Sequence, residues 1–308
     1  MKGRSVESRV TSHDSQDAKR SYRLIYLLGP GHCGSTLLDM VLGAHPQIMA
    51  LGEVNGIHRF WAMTSHAAPA AVPRHPLDWV EVSSHPFAQP QWQQVVRCFE
   101  RSGEWRMDDL SLRHPSWRRA LTRWSDDDVR RWARPNAALF DCWHEVCGRP
   151  MLTDASKRPQ RLYLLARSGM FDLSVIHLIR DGRGVMYSFL RKYGRWGLAF
   201  RRWAGPTLMA FYLRRYLRST PWLDVRYEAL ATDPHGTVAR VCAFLDVPYQ
   251  PEMLQFRSYD YAGLGGNRMR ERGDDRIVFD DRWRRDWQGP GRLAFALAGG
   301  WLNRLCGY

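Results

Sequence analysis

The apolar run Leu24-Ile25-Tyr26-Leu27-Leu28 leads straight into Gly29-Pro30-Gly31-His32-Cys33-Gly34-Ser35-Thr36. A short continuous apolar run ahead of a glycine-punctuated turn reads as a buried strand handing over to the start of a helix. Glycines let backbone amides close on phosphate oxygens, and the following helix adds its positive end. The hydroxyls of Ser35 and Thr36 add further donors. Gly31, His32, Cys33, Gly34, Ser35 and Thr36 are therefore candidate phosphate-binding positions, although a tight strand-to-helix turn without ligand would use the same residues. The segment lacks the Gly-Lys-Ser/Thr ending of a nucleotide triphosphatase loop. It suits a phosphorylated nucleotide without a triphosphate–magnesium centre.

Further strands are expected at Ile48–Leu51, Met151–Thr153, Ser174–Ile179 and Leu223–Tyr227. Helices are expected over 36–42, 159–168, 182–193, 198–217 and 234–245. Strands separated by helices imply an α/β fold, with three α/β/α layers around a central parallel sheet. Residues 1–20 are polar and unpatterned and read as a flexible tail, with 21–308 as a single domain. Within it, 60–148 reads as a mainly helical insertion. It has loops and short helices over 64–92 and several amphipathic fragments over 104–147, where Ser125 or Asp126 could cap a helix.

The formal charge of +14 favours anionic ligands or acidic surfaces. No zinc finger or other sequence-specific nucleic-acid reader is present. The six cysteines complete no metal signature and read as reduced, unpaired thiols of a cytoplasmic protein. No signal peptide or membrane-length span is visible. Leu293–Leu302 is apolar but short and reads as a docking helix, which leaves open a peripheral membrane contact or a homodimer. The fourteen Trp either pack a helical layer or line an acceptor pocket.

Three more constellations could carry chemistry. Arg180 stands at a strand end and Ser188 lies two turns into the next helix, so a guanidinium fork and a hydroxyl can face one phosphate. Arg183 is a supporting candidate. Glu53, in Leu51-Gly52-Glu53, follows the short segment after the phosphate-loop helix and could take a proton from a hydroxyl. Lys157, in Asp154-Ala155-Ser156-Lys157-Arg158-Pro159, can place a point charge on a transferring group or its leaving oxygen.

These segments together resemble the nucleotide-dependent sulfotransferases of P-loop-like fold, in the bacterial and protein-tyrosine-sulfotransferase-like branch. The likeness covers most of 23–287 and is weakest over 60–148, where acceptor specificity is expected. It implies that 29–36 holds the 5′-phosphosulfate, where many members carry Arg or Lys in place of His32. It implies that Arg180 and Ser188 hold the 3′-phosphate. The donor would be 3′-phosphoadenosine 5′-phosphosulfate (PAPS), the product adenosine 3′,5′-bisphosphate (PAP), and no metal is expected. The resemblance makes Glu53 the general base, with His45 as runner-up, and Lys157 and His32 the groups that neutralise the leaving phosphate. Tyr227 would lie at the adenine, while the loop Gly265-Gly266-Asn267-Arg268 closes over the donor and Arg270 faces a phosphate. The acceptor would be a small-molecule, lipid-linked or peptide hydroxyl. A P-loop kinase or nucleotide hydrolase, and a non-catalytic polyanion-binding scaffold, are the competing classes.

Overall fold

The computed structural model describes residues 20–64, 86–103, 105–112, 124–271 and 274–308, with only the backbone for 62–64, 86, 268 and 271. The expected tail lies outside these residues except for Arg20. That residue is anchored, with Nε 2.8 Å from Asp141 Oδ1 and Nη1 donating to the Met170 carbonyl.

Five parallel strands form the central sheet: β1 (Arg23–Leu28), β2 (Ile48–Met49), β3 (Met151–Asp154), β4 (Asp172–Ile179) and β5 (Trp222–Arg226), in the order β2-β3-β1-β4-β5. β1 lies in the middle, with Ile25 opposite Thr153 on one side and Ser174 on the other. Its residues from Leu24 to Leu28 are fully buried, which is why its sequence is an unbroken apolar run. Helices cover both faces and define the α/β/α layers.

Helix α1 (Ser35–Gly43) follows β1 directly and ends at Ala44, ahead of Pro46, as the proline requires. Helix α2 (Ile57–Thr64) follows the turn after β2. Helices α3 (Pro90–Arg101) and α4 (Asp126–Cys147) carry the helical region between β2 and β3. Pro90 starts α3 at the one place where its missing N–H costs nothing, and Trp92, Val95 and Phe99 turn inward at helical spacing. The fragments expected over 104–147 are, from 126 onward, one helix of 22 residues. A capping box starts it, Ser125 Oγ accepting from Asp128 N while Asp128 Oδ2 accepts from Ser125 N, both at 3.1 Å. Burial of Val129, Trp132, Phe140 and Trp143 on one side carries it through Pro135.

Trp92 and Trp143 meet edge to face in this core, 4.7 Å between centroids, so these indoles pack the helical layer. Cys98 of α3 and Cys142 of α4 form a disulfide with Cα atoms 5.7 Å apart. The expectation of six unpaired thiols is corrected for this pair. The two helices bring together cysteines separated by 44 residues, which no local spacing could show. Cys33, Cys147, Cys242 and Cys306 are free thiols.

The remaining helices are α5 (Pro159–Arg167), α6 (Gly182–Tyr193), α7 (Trp196–Tyr216), α8 (Tyr227–Thr232), α9 (Pro234–Leu245), α10 (Trp283–Asp286) and α11 (Pro290–Leu305). Tyr227, expected to end a strand, instead begins α8. Among the described residues no helix is long and apolar enough to cross a membrane.

Candidate active site

Because every strand of the sheet is parallel, all five C-terminal ends open on one edge. The segments after β1, β2, β3, β4 and β5 deliver the 29–36 loop, Glu53, Lys157, Arg180 and Tyr227 to that edge.

The loop after β1 is held open by its glycines. Gly34 caps α1 at φ 91° and offers no side-chain cap, so the first-turn amides of α1 have no acceptor of their own within the helix. A Cβ at Gly34 would stand 2.8 Å from the Tyr227 ring, and one at Gly31 would stand 2.9 Å from Phe189. Ser35 and Thr36 are buried in the first turn. The Cys33 side chain points into the core below the sheet edge, where burial raises its thiol pKa; only its main chain belongs to the loop.

His32 takes a left-handed conformation, φ 62°, and its ring meets Phe189 edge-on at 4.6 Å. Burial, then the charges of Arg180, Lys192 and Lys157, push its pKa down to about 3. The imidazole is therefore neutral at physiological pH. A neutral imidazole has no charge of its own to set against a phosphate, unlike the charge-neutralising group expected there.

Lys157 is also left-handed, φ 58°, a conformation that costs a lysine about 1 kcal/mol or more. The turn aims its ammonium back along the sheet edge. Nζ lies 2.5 Å from Glu53 Oε1 and also donates to the Ala155 carbonyl at 3.2 Å. Glu53 keeps about a third of its side chain open to solvent, whereas Lys157 is mostly covered.

The turn that carries Glu53 is clamped from three sides. Its amide donates to the Leu264 carbonyl at 2.7 Å, and Leu264 N donates back to Leu51 O at 2.9 Å. Gly52, at φ 67°, is pressed so closely on the Leu264 backbone that no side chain fits. Beneath it lies Asp39 of α1, fully buried. Its carboxylate accepts from Gly52 N at 3.1 Å, Thr153 Oγ1 at 2.5 Å and Tyr261 OH at 2.6 Å. Burial pushes its pKa up to about 6 against these stabilising bonds. Asp39 was missed from sequence; its signal is a lone carboxylate in the otherwise apolar stretch Leu37–Leu42.

Arg180 stands one residue beyond β4 and is largely buried. Nη1 donates to the His32 carbonyl at 2.6 Å and Nη2 to the Asp280 carbonyl at 3.0 Å, with Asp280 Oδ2 3.8 Å away. Its guanidinium lies 4.1 Å from the centre of the Tyr227 ring. Asp280 is a second residue that sequence reading did not single out. Its pKa is lowered first by the hydrogen bond from Arg282, with the Arg180 charge adding to the effect. Gly184 links Arg180 to Ser188: a Cβ there would lie 3.2 Å from Arg180 Nε, and its carbonyl accepts from Ser188 Oγ at 2.9 Å. Arg183 is turned aside, paired with Asp181 at 2.6 Å and stacked on Trp283.

The 264–270 loop closes on both halves of the site. Gly266 packs against Thr36, Asn267 N donates to Thr36 Oγ1 at 3.2 Å, and Gly265 lies beside Glu53. Arg270, expected to face a phosphate, instead donates to the Gly265 carbonyl at 2.5 Å and lies over Tyr261. The Arg268 side chain lies outside the described residues. His45 is buried with both ring nitrogens engaged by main chain: Nε2 is 3.0 Å from Pro248 O and Nδ1 accepts from Gln47 N. That is a structural role. Among the described residues no three His, Cys, Asp or Glu side chains are grouped to hold a metal ion.

The arrangement is a carboxylate and an ammonium in contact, flanked by helix-terminal amides and a buried arginine. It can bind an anionic group and move a proton beside it. A family model described as "Sulfotransferase family" matches residues 25–251. Among solved structures, the sulfotransferase domain of the Synechococcus PCC 7002 olefin synthase is similar, with TM-score 0.59 and 20% identity over 94% of this chain and 96% of that one. The sulfotransferase domain from the curacin biosynthetic pathway is similar with TM-score 0.52 and 18% identity, over 89% of each chain. At these identities the two structures speak for the fold. No curated protein matches the sequence.

Proposed function

The chain belongs to the sulfotransferase family, and from that premise we propose that it moves a sulfonate group from PAPS to a hydroxyl acceptor. When bound, the donor supplies an activated sulfonate on a phosphate leaving group. The residues present fit such a molecule. Gly31 and Gly34 let the Phe189 and Tyr227 rings pack directly on the loop backbone, and the first-turn amides of α1 supply neutral donors for a 5′-phosphate. Arg180 supplies a fork for a 3′-phosphate, and Tyr227 a flat apolar face beside it. Ser188 would join by rotating its hydroxyl away from Gly184.

Glu53 would accept the proton of the acceptor hydroxyl, and Lys157 would hold its ammonium where charge develops on the leaving oxygen. The contact between these two groups is the observation that carries the reading. A lysine in a strained turn, placed on a carboxylate at the same sheet edge as a phosphate-type loop, suits charge transfer better than passive packing. His32 would contribute as a neutral group of the loop. We read 21–308 as one catalytic domain, with the region from α2 to α4 as the source of acceptor specificity. The cell compartment we propose is the cytoplasm.

Calorimetric titration with PAP, using AMP and ATP as controls, tests this reading. Binding that requires the 3′-phosphate, followed by sulfonate transfer from PAPS in an acceptor screen, supports it. A folded sample that ignores PAP but turns over ATP with magnesium would instead be a P-loop kinase or hydrolase. Polyanion affinity that persists with Arg180 and the loop disrupted would point to a scaffold.

A further inference from the structure

Helix α11 is firmly seated on one face and bare on the other. On the inner face Phe295, Gly299 and Leu302 are buried, Gly299 against Phe200 and Trp203. Asn303 Oδ1 accepts from Gly182 N at 2.7 Å, and Asn303 Nδ2 reaches Asp181. On the outer face stand Leu293, Leu297, Trp301 and Leu305, four residues apart and therefore in one stripe. They are 64%, 79%, 48% and 64% exposed. From Leu293 to Leu305 the sequence holds a single charged residue, Arg304. A helix side meant for water carries charged and polar residues instead, so this stripe is surplus to the fold.

We propose that the outer face of α11 docks the protein on an anionic lipid surface. Charge favours that occupant. Exposed Arg284 leads into the helix beside Arg282 and Arg285, which pair with Asp280 and Asp286, Arg304 lies in its last turn, and exposed Arg201 belongs to α7, on which α11 packs. Trp196 Nε1 donates to Gly291 O, and Gly299 meets Phe200 and Trp203, so the two helices run side by side in the same sense. An apolar stripe with a tryptophan, bordered by arginines, lies in a headgroup layer with its leucines below and its cations at the phosphates. A second copy of the chain would bring one basic rim against another, on molecules already carrying +14. Residues 1–19 have only Met1, Val6, Val10 and Ala18 as apolar side chains and are poorly suited to cover four large ones. Docking does not depend on the sulfotransferase reading, and it would bring the protein to acceptors held in a membrane.

The test is co-sedimentation of the full chain with vesicles of phosphatidylcholine alone and with one part in three of phosphatidylglycerol. The expected result is pelleting with the anionic vesicles only, weakened by added salt. Leu297→Glu should reduce the vesicle-bound fraction about tenfold, and the pair Arg284→Gln and Arg285→Gln should reduce it and blunt the salt effect. PAP binding and the melting midpoint should stay as in the wild type, since these side chains are exposed and outside the candidate active site. Failure of the folded wild type to pellet overturns the proposal, as does equal pelleting of Leu297→Glu. A dimer seen by light scattering, split by Leu297→Glu and indifferent to vesicles, would assign the face to a second copy of the chain.

Discussion

Lys157 Nζ and Glu53 Oε1 are in contact at 2.5 Å, although 104 residues separate them in the chain. Each is delivered by the segment beyond a different strand, and the lysine reaches the carboxylate only through its left-handed turn. An ammonium this close gives the carboxylate a fixed, charge-assisted partner at the sheet edge. Glu53→Gln keeps the shape and the Leu264 contacts of the main chain but removes the base. We expect PAP affinity within about twofold of wild type, with sulfonate transfer lowered by roughly 10²–10⁴ in kcat. Single-turnover transfer rates measured beside calorimetric affinities check this. Undiminished transfer would remove Glu53 from the proton-moving role.

Arg180 gives a second expectation because its fork already grips two main-chain carbonyls and the Asp280 carboxylate stands 3.8 Å off. A 3′-phosphate would be a stronger partner than that carboxylate at the same place. Arg180→Ala should weaken PAP binding about 10- to 100-fold and change AMP binding far less, since AMP lacks the 3′-phosphate. Asp280→Ala should strengthen PAP binding. Equal losses for PAP and AMP in Arg180→Ala would mean that the arginine only braces the loop through the His32 carbonyl.

Much of this site was legible because strand ends carry both fold and chemistry. Leu24–Leu28 had to be a buried strand, and Gly29–Thr36 had to be the turn after it. A parallel sheet then brings Glu53, Lys157 and Arg180 to one edge without further information. What escaped depends on conformation or on distant contacts. Nothing in the sequence marks Lys157 or His32 as left-handed, since both are ordinary residues at positions that glycine favours. Neutral His32 follows from how tightly Phe189, Arg180 and Lys157 surround it. The contacts of Arg270 and Arg183 within the protein carry no sequence mark, because a cation is free to choose a carbonyl, a carboxylate or an aromatic face nearby. The unity of α4 was hidden by Pro135, which reads as a break until the capping box and the buried face are counted.

The Cys98–Cys142 disulfide staples α3 to α4 across a separation of 44 residues. Closing a loop of that length removes unfolded-state entropy worth about 4 kcal/mol in the chain-entropy model. Reduction, or the Cys98→Ser and Cys142→Ser pair, should lower the melting midpoint by several degrees. PAP affinity should be unchanged, because neither helix supplies a donor-binding candidate. Scanning calorimetry with and without reductant reads this directly; coincident melts would show that the cross-link contributes nothing to stability.

Asp39 provides an expectation with a definite sign. Its folded pKa of about 6 is above its ordinary 3.8, because burial disfavours the charge more than Gly52, Thr153 and Tyr261 stabilise it. A raised pKa means that the folded state binds the proton more tightly than the unfolded state. The associated stability is fully present below about pH 4 and is lost as the pH rises through 6. The loss is about 3 kcal/mol by neutral pH. Asp39→Asn cannot titrate, and with its oxygen kept for Gly52 N and Tyr261 OH its amide nitrogen faces the Thr153 hydroxyl that donates there in the wild type, so it should be less stable than wild type at every pH. The gap should be widest near pH 4 and narrow towards pH 7.5, as the wild type alone comes to bear the cost of a buried charge. Urea unfolding of both proteins across that range measures the gap. Parallel curves would mean that Asp39 does not change its protonation on unfolding. Because the same carboxylate holds the Gly52 amide, the variant should also lose kcat more than PAP affinity, through displacement of the neighbouring Glu53.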